Sequence, residues 1–479
     1  MFDDNVQAAK MASMSEESDV VVLGGGSGGY AAALRAAQLG LSVTLVEKDK
    51  LGGTCLHRGC IPTKAILHAA EVADAARHSS QFGIHTTLDR IDAKEITAYA
   101  DAVVSRLFKG LTGLVKSRGI TVVEAAGRLE RTADGRVGIR VGNDLVVGRA
   151  TVLASGSAAK TIPGVEIDGT RVLTSEHALR LEVLPATAVV LGGGVIGAEF
   201  ASAWTSLGVD VTIVEALPRL LPGEEPEISA AIERAFRKRR VTIRTGAGVE
   251  QVTTGVEGVT VRLADGQHIT GDLVLVAVGR GPVSAGLGYQ EAGVTLDGGL
   301  VSCDERLHTS VPNVYAVGDL VAGPQLAHRG FAHGIFVAEE IAHRAGRLDR
   351  APAPVRDRDL ARVTYSDPEV ASVGLGEEAA RREYGEVQAV TYDLAGNGKS
   401  QILRTQGFVK LIRRSEGPVV GVHIVGSRVS ELIAEAALIT GWDAFPDDVA
   451  GLIHPHPTQA EALGEAHLAL AGKALHAHR

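Results

Sequence analysis

Two small constellations in this sequence have residue types and spacings suited to chemistry near neutral pH. The first is Cys55 and Cys60, five positions apart in GGTCLHRGCIPTK. Two thiols this close can store and release an electron pair by forming and opening a disulfide; the plainer alternative is a pair of buried structural cysteines. In a continuous helix their Cα atoms would lie roughly 8–9 Å apart, beyond the ~7 Å that a disulfide accommodates. The chain around Cys55 is therefore expected to leave helical geometry, which Gly52, Gly53 and Gly59 permit. Pro62 sits where a helix can start, because its missing N–H is not needed there. A thiolate at that start is stabilised by the helix dipole, which lowers its pKa. The second constellation is His456 and Glu461 in IHPHPTQAEALGE. Imidazole is the natural general base near pH 7, and a carboxylate can fix its tautomer and stabilise its charged form. One histidine among 16 is more often structural, so residue type alone leaves this pair open. His57 and His68 lie near the cysteines, but their spacing matches no zinc pattern, and no metal site is expected.

The elements that must position such groups are legible around two glycine turns. DVVVLGGGSGGYAAALRAAQLGLSVTLVEK reads as strand, glycine turn, helix, strand, and TAVVLGGGVIGAEFASAWTSLGVDVTIVEA repeats it 168 residues later, from Gly24 to Gly192. Gly24, Gly26 and Gly29 fit G-x-G-x-x-G, as do Gly192, Gly194 and Gly197. The first glycine allows the tight turn, the second lets backbone approach a pyrophosphate, and the third lets helix pack on strand. An acid should close the next strand to bind a ribose hydroxyl; Glu47 and Glu215 each lie 18 residues after the third glycine. Two dinucleotide sites in one chain follow. At the second, Glu215 favours the free 2′-hydroxyl of NAD over the 2′-phosphate of NADP, and Arg219 is isolated in VEALPRLLPGEE.

Helical stretches (65–77, 91–118) and a strand-rich stretch (120–153) separate the copies. Short strands with turns at Gly255, Gly258 and Asp265-Gly266 follow the second. A linker is expected over 348–359, and a third domain of different purpose beyond it. At 479 residues, two to four domains are expected. A net charge of −9 argues against a nucleic-acid partner; the basic run Arg237 to Arg240 reads as a solvated helix face. Three cysteines cannot form a disulfide framework. The start lacks a signal-peptide-like apolar run, and no later run has the length of a membrane span. A cytoplasmic protein without a membrane partner is expected.

GGTCLHRGCIPTK resembles the active-site segment of the class I pyridine nucleotide–disulfide oxidoreductases, and the resemblance extends from Asp19 to the C-terminus. It implies an α/β fold with two Rossmann-like dinucleotide-binding domains plus a C-terminal α+β dimerisation domain. The implied division is a flexible tail over 1–17, an FAD-binding domain over 18–157, an NAD-binding domain over 158–278, a return to the FAD-binding or central domain over 279–350, and the interface domain over 351–479. FAD would occupy the first glycine motif and NAD the second. Cys55 would meet substrate and Cys60 the flavin, with Lys64 near the flavin ring and paired with Glu199. Gly53, Thr54, Gly127 and Gly279 would complete the cofactor sites.

LASGS resembles the family's L-A-T-G-S turn, with Ser155 in place of threonine, followed by Gly156. NVYAVGDL would place Asp319 on the ribityl chain, and Leu326, Ala327 and His328 would open the helix that approaches the ring. HPHPTQAE resembles the family's H-x-H-P-T-x-x-E segment, which makes His456 the acid–base and Glu461 its orienter; His454 is expected to pack or cap. In the family this segment comes from the partner subunit, which implies a homodimer. TYDLAGNGKSQIL and RVTYSDPEVASVGL are similar to the dihydrolipoamide dehydrogenase branch. That branch implies lipoyl domains and the acyltransferase core of 2-oxoacid dehydrogenase complexes as partners. The alternatives are an NADH-dependent flavoprotein reductase of quinones or other disulfides, an NADH-dependent flavoprotein acting on quinone or oxygen with idle cysteines, and a purely structural component of such a complex.

Overall fold

Short β-branched strands that must be buried on both faces set the architecture of this protein. The computed structural model describes residues 17–476; the tail expected over 1–17 lies, apart from Glu17, outside them. The chain forms two units. Of the described residues, one comprises 17–62, Tyr99–Ala159 and Arg280–Asp357; the other comprises Thr63–Ala98, Lys160–Gly279 and 358–476.

In the first unit the parallel strands Thr121–Glu124, Val43–Glu47, Ser18–Leu23, Asp144–Leu153 and Val314–Ala316 lie side by side in that order. Val21, Val22, Leu45 and Val152 are fully buried within it. The ten-residue strand Asp144–Leu153 has two roles. Its second half pairs in parallel with Ser18–Leu23, and its first half pairs antiparallel with Val137–Val141 in a small meander. The helix Ser27–Gln38 packs against the helix Ala327–Arg344. A Cβ on Gly334 would overlap the Gly28 carbonyl, so glycine permits this close helix approach.

The second unit repeats the theme. The parallel order is Thr242–Thr245, Asp210–Glu215, Thr187–Leu191, Leu273–Val276, Val172–Thr174. A three-stranded antiparallel sheet, Val249–Gly255, Gly258–Leu263 and His268–Gly271, covers part of it through an apolar cluster that includes Val189, Val259 and Val274. The C-terminal segment forms an antiparallel five-stranded sheet, ordered Arg362–Thr364, Glu369–Gly374, Val419–Gly426, Phe408–Arg414, Val387–Asp393. The helices Val429–Gly441 and Glu461–Leu470 pack on it.

A buried ion cluster joins this sheet to the helix Pro226–Lys238. Lys410, 4% exposed, lies 2.7 Å from Glu225 and 2.9 Å from both Glu227 and Glu377. The basic run Arg237 to Arg240 departs from the expected solvated face at Arg239. That side chain turns inward, donating to Ser202 Oγ at 2.9 Å and Ser206 Oγ at 2.5 Å, because the helix ends there and its last turn faces the helix Val195–Ser206.

Candidate active site

Chain termini of parallel strands present their polar backbone at one sheet edge, where an open α/β sheet takes its ligand. At that edge of the first unit, Gly24 follows the strand Ser18–Leu23, Glu47 closes Val43–Glu47, Ser155 and Gly156 follow Asp144–Leu153, and Asp319 follows Val314–Ala316. Gly24 has φ +104°, and a Cβ on Gly29 would overlap the Gly24 carbonyl. Around Gly26 a Cβ would meet nothing nearer than Gly53 Cα at 3.9 Å, so the helix start stays open to a phosphate.

Glu47 Oε2 accepts from the Gly25 amide at 2.6 Å and Oε1 from Asp49 at 2.8 Å. The second unit reproduces this. Gly192 has φ +104°, a Cβ on Gly197 would overlap the Gly192 carbonyl, and Gly194 faces open space. Glu215 accepts from Gly193 at 2.6 Å and Leu217 at 2.7 Å. Each carboxylate oxygen keeps a lone pair for a ribose hydroxyl. Both turns therefore fit a dinucleotide. One terminal nitrogen of Arg219 donates to the Pro222 and Glu224 carbonyls at 3.0 and 3.3 Å.

Around Asp319 the structure adds residues that sequence reasoning passed over. Ser157 Oγ donates to Asp319 at 2.5 Å, and Arg280 reaches Ser157 Oγ at 2.8 Å and its carbonyl at 2.6 Å. Ser155 points elsewhere, donating to the Val283 carbonyl at 2.5 Å and accepting from Tyr289 at 2.9 Å. The turn that carries Asp319 rests on Arg329, 3% exposed, which donates to the Gly318, Val321 and Ala322 carbonyls and pairs with Asp357. Burial, then the nearby Arg329 charge, pushes the His333 imidazole down to about 4, so it accepts from the Gly318 amide as a neutral ring. Leu326 precedes the helix Ala327–Arg344, in whose first turn Ala327 and the exposed His328 lie. Gly127 packs into the sheet against Leu23, Val46 and Ile139.

The cysteine segment hangs from the first phosphate turn. The Gly52 amide donates to the Gly25 carbonyl at 2.8 Å, and a Cβ on Gly53 would come within 2.7 Å of Gly26 Cα. Thr54 Oγ1 lies 3.5 Å from Arg280. Cys55 sits inside a short helix, Gly53–Arg58, so the expected break does not fall around Cys55. It falls at Gly59 (φ −147°, ψ −112°), where a side chain would crowd the Thr54 carbonyl at 3.1 Å. Cys60 then opens the helix Cys60–His78, with Pro62 third in it rather than first. The first turn has no intrahelical N–H bonds, so proline is accommodated there as well. Both cysteines are half-buried. Burial, then the adjacent Cys55 and Cys60, pushes the Tyr30 phenol up to about 12.

The other candidates belong to the second unit. Lys64 Nζ lies 2.9 and 2.8 Å from the two oxygens of Glu199, which is 3% exposed. The Tyr365 amide donates to the same carboxylate at 3.0 Å, and the Tyr365 ring lies under Lys64 Nζ at 4.5 Å. Gly279 is exposed in the turn that follows the strand Leu273–Val276, with φ +104°. His456 Nδ1 and Glu461 Oε1 are 2.8 Å apart, and the exposed imidazole leaves Nε2 for a reactant. Burial pushes the Glu461 carboxyl up, but the Thr458 amide, the His456 ring and the charge of His454 hold it below the usual range. His454 forms its own pair, with Glu435 at 2.8 Å; that bond outweighs burial and raises its pKa.

The sequence matches the pyridine nucleotide–disulphide oxidoreductases over residues 18–334 and their dimerisation domain over 360–467. This chain belongs to that family. Its members use FAD and NAD(H). The chain is 39% identical to a dihydrolipoyl dehydrogenase of Bacillus subtilis, over 97% of this chain and all of the relative. It is 36% identical to a mitochondrial dihydrolipoyl dehydrogenase of Pisum sativum, covering 99% and 96%. Among solved structures it is similar to LpdA from Mycobacterium tuberculosis, with a TM-score of 0.85 at 27% identity, covering 94% of this chain and 99% of that one.

Proposed function

We propose that this family member is a dihydrolipoamide dehydrogenase, oxidising protein-bound dihydrolipoamide to lipoamide and reducing NAD. One observation carries the reading: a cysteine pair on a segment pinned to the first dinucleotide turn by the Gly52–Gly25 hydrogen bond. The near-full-length similarity to dihydrolipoyl dehydrogenases supports the substrate.

In this mechanism His456 takes the proton of a dihydrolipoyl thiol, and Glu461 stabilises the imidazolium. The lipoyl thiolate attacks Cys55 Sγ, the Cys55–Cys60 bond breaks, and Cys60 leaves as a thiolate at the start of its helix. The second lipoyl sulfur then attacks the first as its thiol proton passes to the departing Cys55 sulfur, releasing oxidised lipoyl and the Cys55 thiol. FAD would be held by Gly24, Gly26, Gly29, Glu47, Gly53, Thr54, Gly156, Asp319 and the Leu326–His328 segment, with Ser155 and Gly127 shaping the backbone behind them, and would supply the two-electron carrier between the dithiol and NAD. Lys64, held by Glu199, would supply a positive charge to the bound flavin. Gly192, Gly194, Gly197, Glu215 and Gly279 hold NAD; the Glu215 carboxylate supports NAD over NADP.

The protein acts as a homodimer in which His456 serves the cysteine pair of the second copy, in line with the matched dimerisation domain. Lipoyl domains and the acyltransferase core of 2-oxoacid dehydrogenase complexes are its partners, in the cytoplasm. Among the described residues no helix is long and apolar enough to cross a membrane. The domains run 18–157, 158–278, 279–350 and 351–479. The test is His456→Ala, which should lower dihydrolipoamide turnover about 10²–10⁴-fold with flavin retained; unchanged turnover rules the assignment out.

A further inference from the structure

The motif TYDLAGNGKSQIL has no part in the chemistry above, yet its asparagine reaches the acid–base segment. Asn397 is 3% exposed. Its Oδ1 accepts from Ser400 N at 2.8 Å and Ser400 Oγ at 3.0 Å, capping the short helix Gly398–Leu403. Its Nδ2 donates to the Thr458 carbonyl at 2.9 Å. Thr458 in turn gives its amide to Glu461 Oε2 at 2.7 Å, while Glu461 Oε1 takes His456 at 2.8 Å. One residue of the loop is thus held through its N–H by the orienting carboxylate and through its C=O by a buried carboxamide. Upstream, His454 is fixed to Glu435 at 2.8 Å, with its ring against Gly464. The imidazole lies between these anchors, and only the downstream one also fixes the carboxylate that orients it.

We infer that Asn397 is a positioning residue for the acid–base pair, setting the place of Thr458 and through it the Glu461–His456 geometry. The inference rests on the dihydrolipoamide dehydrogenase reading, in which His456 is the acid–base. Asn397→Asp separates positioning from capping. Aspartate caps a helix as well as asparagine does, but it sets a carboxylate oxygen against the Thr458 carbonyl, where the carboxamide had donated.

The experiment compares holoenzymes, wild type and N397D, in dihydrolipoamide oxidation by NAD and in NADH-dependent ferricyanide reduction, which needs no thiol base. Thermal unfolding checks the fold. The expected result is a kcat for dihydrolipoamide lowered about 10- to 100-fold, KM changed less than about twofold, ferricyanide reduction close to wild type, and an unfolding temperature lowered by the buried carboxylate but still above the assay temperature. N397D matching wild type with dihydrolipoamide overturns the Asn397 assignment alone, and so does an equal loss in both activities. A wild-type protein that reduces ferricyanide but leaves dihydrolipoamide untouched overturns the functional reading and this inference with it.

Discussion

The charge at Glu215 should govern nucleotide choice, and its effect can be worked from the structure. The carboxylate is 8% exposed and closes the strand at the second glycine turn, where the proposed binding mode would put the adenosine ribose. A 2′-phosphate there would stand roughly 4 Å away. Two unit charges at that distance interact by about 4 kcal/mol at an effective dielectric of 20. Ala216 and Leu217 beside it are exposed, so solvent screening reduces this, whereas the phosphate's charge of nearly −2 raises it. A net penalty of roughly 3 kcal/mol, or about 10²-fold, results.

Glu215→Gln removes that repulsion but also one of two acceptors, because the Gly193 and Leu217 amides each use one oxygen. An amide NH₂ facing a backbone N–H costs about 1–3 kcal/mol with either nucleotide. The expected outcome in steady-state assays is a lower kcat/KM with NAD and an NAD:NADP preference narrowed about 10²-fold. NADP should not become the preferred nucleotide, because the substitution adds no cation for the 2′-phosphate. A wild-type enzyme using both nucleotides equally, or an unchanged preference in the variant, refutes the reasoning.

Lys410→Met leaves Glu225, Glu227 and Glu377 converging on an apolar side chain. Loss of one partner from a buried ion cluster costs about 3–5 kcal/mol, and half-exposed Glu227 brings the expectation to the lower end; the denaturant midpoint should fall accordingly. His333 offers a pH test. Its folded pKa of about 4 lies below the ordinary 6.5, so its stability contribution is full above pH 6.5. It is lost as pH falls towards 4, because the unfolded chain binds the proton first, and the whole loss is about 3 kcal/mol. His333→Gln should flatten unfolding free energy over that window; parallel curves for the two proteins would count against a buried neutral ring.

The parts of the site most legible in the sequence obey local rules. A glycine turn between a β-branched strand and a helix is dictated by sterics that act over a few residues, as the paired geometries at Gly24 and Gly192 illustrate. Side chains whose partners are remote in sequence left no such signal. Asn397 reaches Thr458 and Ser157 reaches Asp319, and no periodicity links either pair. Arg239 looked like part of a charged surface run because spacing alone does not reveal that a helix ends against another helix. At the cysteines the need for a helix break was readable, but its place at Gly59 depends on the crowded Thr54 carbonyl, a contact made only once the short helix Gly53–Arg58 has formed.

The most direct test of the central claim is an anaerobic titration of the purified flavoprotein with dihydrolipoamide, followed by absorbance. Two-electron reduction should produce a long-wavelength band from the Cys60 thiolate against oxidised flavin, and Cys60→Ser should lack it. Flavin that bleaches in one step without the band, or that dihydrolipoamide fails to reduce, would contradict a relay through Cys55 and Cys60.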